Sequence, residues 1–393
     1  MDLRERIARR RSAHRTRGLV VDRDHLSPTV HRPEPVGRGP VLEELLDVFE
    51  PVFEGSIPDS VAVVGPAGAG TSAVVTALFD ALNDSVDTGN RPIGTTTRAG
   101  SADLGTRFVY VDARRTESAF AFYRTVLAEI SAEPVPESGV GTDDLRDRVR
   151  ERLERRDRRA VVAIDHHDEP EALAYDRATE LLEPVAESVA TVAVGQHVPE
   201  DWSGRVVRVP AYRDHELVDV LTDRTSTGLA AGGIDHELVR QVADWGDGNA
   251  HDALAALFGA AVVASEADAD RIADQHVERA TEAVPEDGVH VDRALVLAET
   301  RQRVLAHLIS IDSRDRPIRD VAEEIAERSS LTAGTVKRFL YELADRGVIE
   351  RVPLTVTDGG SGRRPSGLEP RFPQLVFRSL SAVANETLSE GDS

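Results

Sequence analysis

A glycine-rich segment in the first quarter of the chain has the spacing of a loop that holds phosphate. The apolar run Val61–Val64 predicts a buried strand, and Ser72 lies in the first turn of a predicted helix. Three glycines shape the turn between them: Gly65, Gly68 and Gly70. The phosphate-loop pattern is Gly, four residues, Gly-Lys and then Ser or Thr. Thr71 occupies the lysine position, so the loop matches except at the residue that carries its charge.

The missing lysine limits what this loop can do with a nucleotide. Glycines let backbone N–H groups turn toward phosphate oxygens, and a helix N-terminus adds partial positive charge. Ser72 can still offer a hydroxyl to Mg²⁺, whereas Thr71 brings no charge to the β- and γ-phosphates, where a lysine would act. We therefore expect the loop to bind ATP or ADP with Mg²⁺ weakly, and hydrolysis to suffer more. The alternative is a glycine-rich strand-to-helix turn without a ligand.

A second candidate position follows the apolar run 160–164, which also predicts a buried strand. Asp165 ends this run, and an aspartate there would hold Mg²⁺ together with the loop serine. In an active enzyme a glutamate usually comes next and polarises the attacking water, but here the residue is His166. His166 could act as a base, or be a replacement that no longer positions water. A metal site of His166, His167 and Asp168 ranks below both, because adjacent residues rarely converge on one ion.

Four short apolar runs alternate with helical patterns over the first half of the chain. They cover 61–64, 108–111, 160–164 and 190–194, and each has the length of a strand buried on both faces. Alternating strands and helices predict an α/β fold with a parallel sheet. Gln196 follows the last of these strands and could sense the γ-phosphate, with a plain loop residue as the alternative.

The composition resembles that of proteins from high-salt cells. The chain has no cysteine, which excludes disulfides and thiolate metal sites. No apolar run reaches membrane-spanning length, so we expect a cytoplasmic protein without a membrane partner. The net charge is −22, and Lys337 is the one lysine among 47 basic residues. The negative net charge therefore indicates a high-salt solvent more than it indicates the charge of a binding partner. Because lysine-poor proteomes normally keep the phosphate-loop lysine, its absence at Thr71 indicates a functional difference.

The basic residues concentrate in two zones of this acidic chain. Residues 1–18 carry seven Arg against two acids, and residues 301–378 carry thirteen Arg and one Lys against eleven acids. Two basic zones on an acidic body predict an arm and a domain that bind a polyanion. The alternative is a solvated basic surface without a partner.

The C-terminal zone predicts three helices and a two-stranded hairpin, the pattern of a winged helix. The helices cover 301–309, 318–327 and 333–346, a strand covers 348–352, and the return strand is expected near 375–377. The third helix would enter the major groove, and the wing tip would contact phosphate or the minor groove. The residues expected to contact double-stranded DNA are Thr332, Thr335, Lys337, Arg338, Arg363 and Arg364. Winged helices also dock proteins, which is the alternative.

Several short motifs, taken in order, carry a resemblance to a known family. They are Leu19-Val20-Val21-Asp22, Val36-Gly37-Arg38, Tyr110-Val111-Asp112-Ala113-Arg114, Val209-Pro210-Ala211-Tyr212 and Gly248-Asn249-Ala250-His251. The chain resembles the archaeal replication-initiator proteins, relatives of the eukaryotic origin recognition complex, over residues 20–380. The resemblance implies an AAA+ ATPase domain, a helical lid and a C-terminal winged helix. It also implies binding to origin DNA and assembly with other AAA+ initiator subunits.

The expected fold class is an α/β P-loop AAA+ parallel-sheet domain, followed by an all-helical lid and a C-terminal winged-helix domain. The expected boundaries are a basic arm at 1–20, the AAA+ domain at 21–212, the lid at 213–288, the winged helix at 289–382 and a disordered acidic tail at 383–393.

Three departures from the family pattern indicate a degenerate ATPase. Thr71 replaces the loop lysine, His166 the catalytic glutamate and His251 the arginine of the second sensor. Arg205 is the candidate for a finger arginine. Because lysine and arginine each stabilise charge on the transferred phosphoryl group, these losses predict poor hydrolysis. The expected function is that of a DNA-binding, replication-initiator-like protein. The alternatives are an active ATP-dependent initiator that uses a neighbour's arginine, and a winged-helix transcription regulator on a pseudo-ATPase scaffold.

Overall fold

The computed structural model describes residues 18–89, 105–131, 133–136, 138–155, 158–311, 313, 316–354 and 366–384. The chain divides into two compact units. One runs from His31 to Tyr212, and the other combines the chain up to Val30 with everything from Arg213 onward. Most of the expected basic arm and acidic tail, and the expected wing residues Arg363 and Arg364, lie outside the described residues. Within the described stretches, no helix is long and apolar enough to span a bilayer.

The segment before His31 packs with the helical unit. It contains helix α1 (Arg23–Leu26), and Val20 forms an antiparallel bridge with Leu229. Arg224 donates from Nη2 to the carbonyl oxygen of Val30 at 2.8 Å. From the sequence we expected this segment, from residue 21 on, to belong to the α/β domain. These hydrogen bonds instead place it with the lid.

The unit from His31 to Tyr212 is a sheet of five parallel strands with helices between them. Its elements are α2 (Gly39–Phe53), β1 (Val61–Val64), α3 (Thr71–Gly89), β2 (Thr106–Asp112), α4 (Ala119–Ile130), α5 (Thr142–Leu153), β3 (Arg159–Asp165), α6 (Tyr175–Leu182), β4 (Val189–Gly195) and β5 (Arg205–Arg208). The strand order is β2-β3-β4-β1-β5, and every pair is parallel. This confirms the parallel α/β sheet and adds the edge strand β5, which was not predicted from the sequence.

Helices cover both faces of the sheet, which explains why its strands are continuous apolar runs. All four residues of β1 are buried, and β3 is buried from its second residue on. On one face Phe49 of α2 and Phe79 of α3 pack edge to face, and both contact Phe108 of β2. On the other face Phe122 and Val126 of α4 lie in the cluster that α5 and α6 complete. The two layers hold the ends of the strands in a fixed frame.

Four helices make up the lid that follows. They are α7 (Asp214–Gly228), α8 (His236–Gly246), α9 (Ala250–Glu266) and α10 (Asp274–Glu282). Most residues of α9 are buried, so this helix forms the centre of the group. Small residues allow its neighbours to approach closely, since Gly246 of α8 lies against Ala253 and Gly259 of α9 lies against Ala280.

The C-terminal part has the element order of a winged helix. Its elements are α11 (Val291–Leu295), α12 (Glu299–Ser310), α13 (Ile318–Glu327), α14 (Ala333–Asp345), β6 (Ile349–Pro353), β7 (Ser366–Pro370) and α15 (Gln374–Leu380). β6 and β7 pair antiparallel, with Ile349 opposite Pro370. The prediction of a return strand near 375–377 is wrong, because these residues lie in α15, where Val376 and Phe377 are buried.

Candidate nucleotide site and nucleic-acid interface

The carboxyl ends of three neighbouring strands bring the predicted nucleotide residues together. β4 lies between β3 and β1 in the sheet. Asp165 at the end of β3 is level with Val194 of β4, and the Gly65 N–H donates to the Gly195 carbonyl oxygen at 3.2 Å. Gln196 follows directly. The glycine loop, Asp165 and Gln196 therefore line one edge of the sheet, where ligands bind in open α/β folds.

The backbone of the loop requires its glycines. A Cβ on Gly65 would lie 2.5 Å from the carbonyl oxygen of Val209, so no side chain fits there. Gly68 and Gly70 have φ angles of 69° and 79°, in the left-handed region that favours glycine. Thr71 then begins α3. A glycine turn at a helix N-terminus presents backbone N–H groups and partial positive charge, which suits a phosphate group.

A buried arginine binds the loop through its carbonyl groups. Arg38 is 1% exposed, and its Nε and Nη2 atoms donate to the Ala69 carbonyl oxygen at 3.0 and 2.8 Å. Nη2 also donates to the Pro210 carbonyl oxygen at 2.9 Å, and Cζ lies 3.4 Å from the centre of the Tyr212 ring. A Cβ on Gly70 would lie 3.1 Å from the Tyr212 hydroxyl. Arg38 and Tyr212 thus fix the conformation of the loop.

Asp165 is 1% exposed, and each of its oxygens accepts a hydrogen bond from the protein. The Tyr110 hydroxyl donates to Oδ2 at 2.5 Å, and the His166 backbone N–H donates to Oδ1 at 2.8 Å. Burial, followed by the charge of Asp165, raises the pKa of Tyr110 well above its usual value. The phenol therefore stays protonated and donates. Asp165 is a carboxylate whose two oxygens both have protein partners.

His166 has a backbone conformation that is unusual for its residue type, with φ of 61°. Its Nδ1 atom lies 3.0 Å from Glu169 Oε1, and its Nε2 atom lies 3.6 Å from Asp165 Oδ2. Glu169 also lies 4.0 Å from Arg114, which forms an ion pair with Asp112 at 2.9 Å. The His166 ring is therefore enclosed by a largely buried network of charged side chains.

The loops after β3 and β4 are joined through Asp168. Gln196 is exposed, and its backbone N–H donates to Asp168 Oδ2 at 2.8 Å. The His197 N–H donates to the same oxygen at 2.9 Å. Across the described ranges, no group of three His, Asp or Glu side chains could hold a metal ion. The alternative metal site of His166, His167 and Asp168 is therefore not formed.

The residues of the site fit a phosphate group but lack charge for a nucleotide. The backbone of the loop provides the phosphate cradle, and Thr71 supplies a hydroxyl where lysine would supply a cation. Ser72 and Asp165 are the residues that would hold Mg²⁺, but Asp165 shares both oxygens with protein donors. The loop thus offers backbone donors to a phosphate group, and no side-chain cation stands at position 71.

His251, the residue at the predicted second-sensor position, makes its contacts within the helical unit. His251 in the first turn of α9 is buried, and its Nε2 accepts the Val291 N–H at 3.0 Å. Its ring stacks on His290 with centroids 4.0 Å apart, and its Nδ1 lies 2.9 Å from Asp252 Oδ1. Since Nε2 accepts this hydrogen bond, Nδ1 is the ring nitrogen that can donate to Asp252. His251 therefore caps α11 and joins the lid to the C-terminal domain.

Arg205, the expected finger arginine, begins β5 and lies 3.4 Å from Glu44 of α2. Since β5 is parallel to β1, Arg205 lies at the amino edge of the sheet, opposite the glycine loop. Within one molecule, the sheet therefore keeps Arg205 apart from the glycine loop.

Helix α14 and its N-cap carry four of the six residues predicted to contact DNA: Thr332, Thr335, Lys337 and Arg338. Thr332 caps the helix by accepting the Thr335 N–H at 3.3 Å. Val336 is buried, whereas Lys337 and Arg338 are exposed. The amphipathic pattern of the helix therefore separates a packed face from a basic one.

An aromatic ring and a strand residue extend this basic face. Tyr341 is 36% exposed, and its ring centre lies 6.0 Å from Lys337 Nζ and 5.5 Å from Cζ of Arg351 on β6. We call Lys337, Arg338, Tyr341 and Arg351 the α14 surface. In the part of the chain that the structure describes, no ion pair joins its three cations to an acidic side chain.

Four residues that shape these two sites were not predicted from the sequence: Arg38, Tyr110, Tyr212 and Arg351. Three of them, Arg38, Tyr110 and Tyr212, lie in the motifs that carry the family resemblance, but no role was predicted for them. The signal for Tyr110 is strand register, because Asp112 on β2 is level with Asp165 on β3 and Tyr110 lies two residues earlier on the same face. Nothing in the local sequence brings Arg351 to Tyr341, since that contact depends on how β6 follows α14.

Two family models match the chain. The model of an AAA ATPase domain matches residues 34–192, and the model of a Cdc6 AAA+ ATPase-type lid domain matches residues 218–282. ORC1-type DNA replication protein 6 of Halobacterium salinarum is 26% identical over 331 residues, which cover 79% of this chain and 82% of that protein. ORC1-type DNA replication protein 11 of Haloarcula marismortui is 22% identical over 394 residues, which cover 94% of this chain and 92% of that protein.

Solved structures have the same fold. The Aeropyrum pernix ORC1 protein, solved in complex with DNA, superposes with a TM-score of 0.61 at 20% identity, covering 95% of this chain and 97% of that one. Cdc6p from Pyrobaculum aerophilum superposes with a TM-score of 0.55 at 18% identity, covering 95% and 100%. The fold likeness and the two matched models confirm the AAA+ domain and its lid. The chain therefore combines an AAA ATPase domain with a Cdc6-type lid, and it is similar over most of its length to archaeal ORC1-type DNA replication proteins.

Proposed function

We propose that this protein binds duplex DNA in the control of replication, through its C-terminal domain. The observation that carries the proposal is the α14 surface. Lys337 and Arg351 lie 6.0 and 5.5 Å from the ring centre of the exposed Tyr341, and Arg338 is exposed next to Lys337, in a chain whose net charge is −22. Such a cluster favours a polyanion, and the helix that carries it has the position of a recognition helix. The related Aeropyrum pernix protein, whose structure contains DNA, supports the same assignment.

We further propose that the AAA+ domain binds nucleotide weakly or not at all and hydrolyses it poorly. Thr71 supplies no charge, Asp165 shares its oxygens with Tyr110 and His166, and His251 is used as a helix cap. A bound nucleotide would then act as a structural or switching ligand. Other AAA+ initiator subunits are the expected protein partners, as the family resemblance implies.

Fluorescence anisotropy with a labelled duplex tests the DNA-binding part. We expect Lys337→Gln with Arg338→Gln to lower the affinity at least about tenfold, because two cations leave the interface. The slope of log K against log salt should become shallower by about two, since each lost phosphate contact removes about 0.9 from it. Arg363→Ala with Arg364→Ala tests the wing residues in the same assay.

The matched control is Arg319→Gln in α13 with Arg328→Gln directly after the end of α13. Both arginines are exposed and each forms an ion pair with a glutamate of α13, so the charge change is the same while the α14 surface stays intact. Equal losses in the two double variants would show that only net charge matters and would remove α14 from the proposal. Chromatin immunoprecipitation would then distinguish replication control, with one or two intergenic peaks, from widely scattered promoter sites.

Calorimetry with ATP and ADP in high-salt buffer containing Mg²⁺ tests the nucleotide part. We expect the native protein to bind weakly or not at all, and Thr71→Lys to strengthen binding because it restores the cation of the loop. Ser85→Lys adds the same charge at an exposed position of α3 and should have no effect. Tight binding by the native protein, with turnover lost in Ser72→Ala, would establish an active ATPase instead.

A further inference from the structure

The buried guanidinium of Arg38 places a positive charge against the glycine loop. Its hydrogen bonds go to backbone carbonyl oxygens, two to Ala69 and one to Pro210, and the Tyr212 ring covers its flat face. No acidic side chain in the stretches that the structure describes forms an ion pair with it. Carbonyl dipoles satisfy its donors but leave its net charge, and a buried charge costs free energy unless an opposite charge lies near it.

The orientation of one peptide unit connects this charge to the opposite side of the loop backbone. The peptide bond between Ala69 and Gly70 is trans, so its C=O and N–H groups point in opposite directions. Because the Ala69 carbonyl points at Arg38, the Gly70 N–H points away from it. The Gly70 carbonyl accepts the Val74 N–H at 3.0 Å, whereas the Gly70 N–H has no partner among the described residues. The loop therefore keeps a donor for a ligand on the side away from Arg38.

We propose that a phosphate group bound by the glycine loop is the counter-ion of Arg38, which acts on it through the peptide unit between Ala69 and Gly70. The inference rests on the weak-binding form of the nucleotide site proposed above, and it adds a source for the positive charge that Thr71 does not supply. Hydrogen bonds in a chain polarise one another, so Arg38 makes the Gly70 N–H a stronger donor. Arg38 is thus a positioning residue, which acts on the ligand through Gly70.

The distances suit this arrangement. Arg38 Nε lies 3.0 Å from the Ala69 oxygen. The oxygen and nitrogen of one peptide unit are about 2.3 Å apart, and an N–H donates to an oxygen at about 2.9 Å, so the guanidinium and the phosphate oxygen would be about 8 Å apart. Two charges at this separation, with protein rather than bulk water between them, change an affinity by about tenfold.

Calorimetry of the full-length protein with inorganic pyrophosphate, in high-salt buffer without Mg²⁺, tests the role of Arg38. We expect Arg38→Gln to weaken binding about tenfold, and Arg38→Lys, which keeps the charge, to bind more tightly than Arg38→Gln. The control is Arg177→Gln, which removes the same charge from an exposed arginine of α6 that is ion-paired with Glu180. Thermal unfolding without ligand shows whether each variant is folded.

A second change separates the charge of Arg38 from its effect on the shape of the loop. Thr71→Lys in the Arg38→Gln background supplies a cation to the ligand without restoring the hydrogen bonds to Ala69. We expect this double variant to recover the native affinity for pyrophosphate. If it binds as weakly as Arg38→Gln alone, the arginine holds the loop in shape and its charge does not act on the ligand.

Hydrogen exchange of the native protein gives a measurement that needs no variant and so does not depend on the folding of Arg38→Gln. Bound pyrophosphate should slow exchange in the peptide that contains Gly70, because the Gly70 N–H then donates to a phosphate oxygen. Equal exchange in this peptide with and without bound pyrophosphate would contradict the proposed contact.

The outcomes separate this inference from the function proposed above. Equal pyrophosphate binding by Arg38→Gln and Arg177→Gln would overturn the role of Arg38 and leave the loop as a phosphate site. Absence of binding by the native protein would also overturn it, and would leave the form of the proposal in which the AAA+ domain binds no nucleotide. These measurements use no DNA, so they do not test the α14 surface.

Discussion

The Asp165 carboxylate accepts one hydrogen bond from the Tyr110 hydroxyl and another from the His166 backbone. A carboxylate has about four lone-pair sites, and these two protein donors take about half of them, so fewer remain for the waters of a hydrated Mg²⁺. Asp165 agrees in residue type with the pattern that the family resemblance predicts, whereas Thr71 and His166 depart from it.

A buried histidine, His307, makes the stability of the C-terminal domain depend on pH. Burial, followed by the charges of Arg328 and Arg303, lowers the pKa of His307 below its usual value of 6.5. The unfolded chain therefore binds a proton at this site at a higher pH than the folded chain does. The stability from the neutral ring is fully present above about pH 6.5 and is lost as the pH falls toward the folded pKa.

We expect His307→Phe to make the free energy of unfolding less dependent on pH between about pH 7 and 5. One proton accounts for at most about 1.4 kcal/mol per pH unit, which sets the size of the change. Denaturant titrations at several pH values measure it. His236→Phe replaces an exposed histidine and should leave the slope as it is in the native protein. Parallel slopes for His307→Phe and the native chain would contradict the prediction.

At the scale of elements, α9 and α11 are joined through the His251 ring. Its Nε2 satisfies the Val291 N–H, which has no partner inside α11 because it lies in the first turn. His251→Arg would introduce the arginine that the family resemblance predicts at a second sensor, but it would remove this acceptor and bury a charge. We expect the free energy of unfolding to fall by about 2–4 kcal/mol.

Chemical denaturation of His251→Arg beside His236→Arg measures this effect. The second variant adds the same charge at an exposed position of α8, so only the buried site differs. If the two variants are equally stable, the His251 ring is not needed as a cap.

The regular elements could be predicted where local pattern and tertiary setting agree. The four strands from β1 to β4 are apolar runs because helices cover both faces of the sheet. β5 was missed because its four residues begin and end with arginine, as an exposed edge strand allows. The return strand was predicted at the wrong place because an apolar triplet in α15 has more of the sequence character of a strand than β7 has. β7 contains Gly367 and Pro370, which are both rare in strands.

The candidate site could be predicted only as far as single motifs extend. The glycine loop and Asp165 follow strands that are evident in the sequence, and their positions at one sheet edge follow from the parallel topology. The contacts of Arg38 with Ala69 and Pro210 join residues 31 and 172 positions apart. No local pattern encodes contacts at such separations, so they became visible only in the fold.

At the scale of the whole molecule, the net charge of −22 makes stability depend on salt. Carboxylates on the surface repel one another in dilute buffer, and salt shortens the range of this repulsion from about 30 Å at 0.01 M to about 3 Å at 1 M. We expect the thermal unfolding midpoint to rise as KCl increases from millimolar to molar concentrations. Differential scanning calorimetry over a KCl series checks this, and a flat or falling midpoint would show that charge repulsion does not govern the stability of this protein.

The division of the chain into units also has a consequence for synthesis on the ribosome. The segment that contains α1 must wait for α7, because Val20 pairs with Leu229 and Val30 accepts from Arg224. The α/β unit from His31 to Tyr212 is made in between and contains its own core. At about 5–20 residues per second, that interval lasts roughly ten to forty seconds. The middle of the polypeptide can therefore finish folding while its beginning is still without a partner.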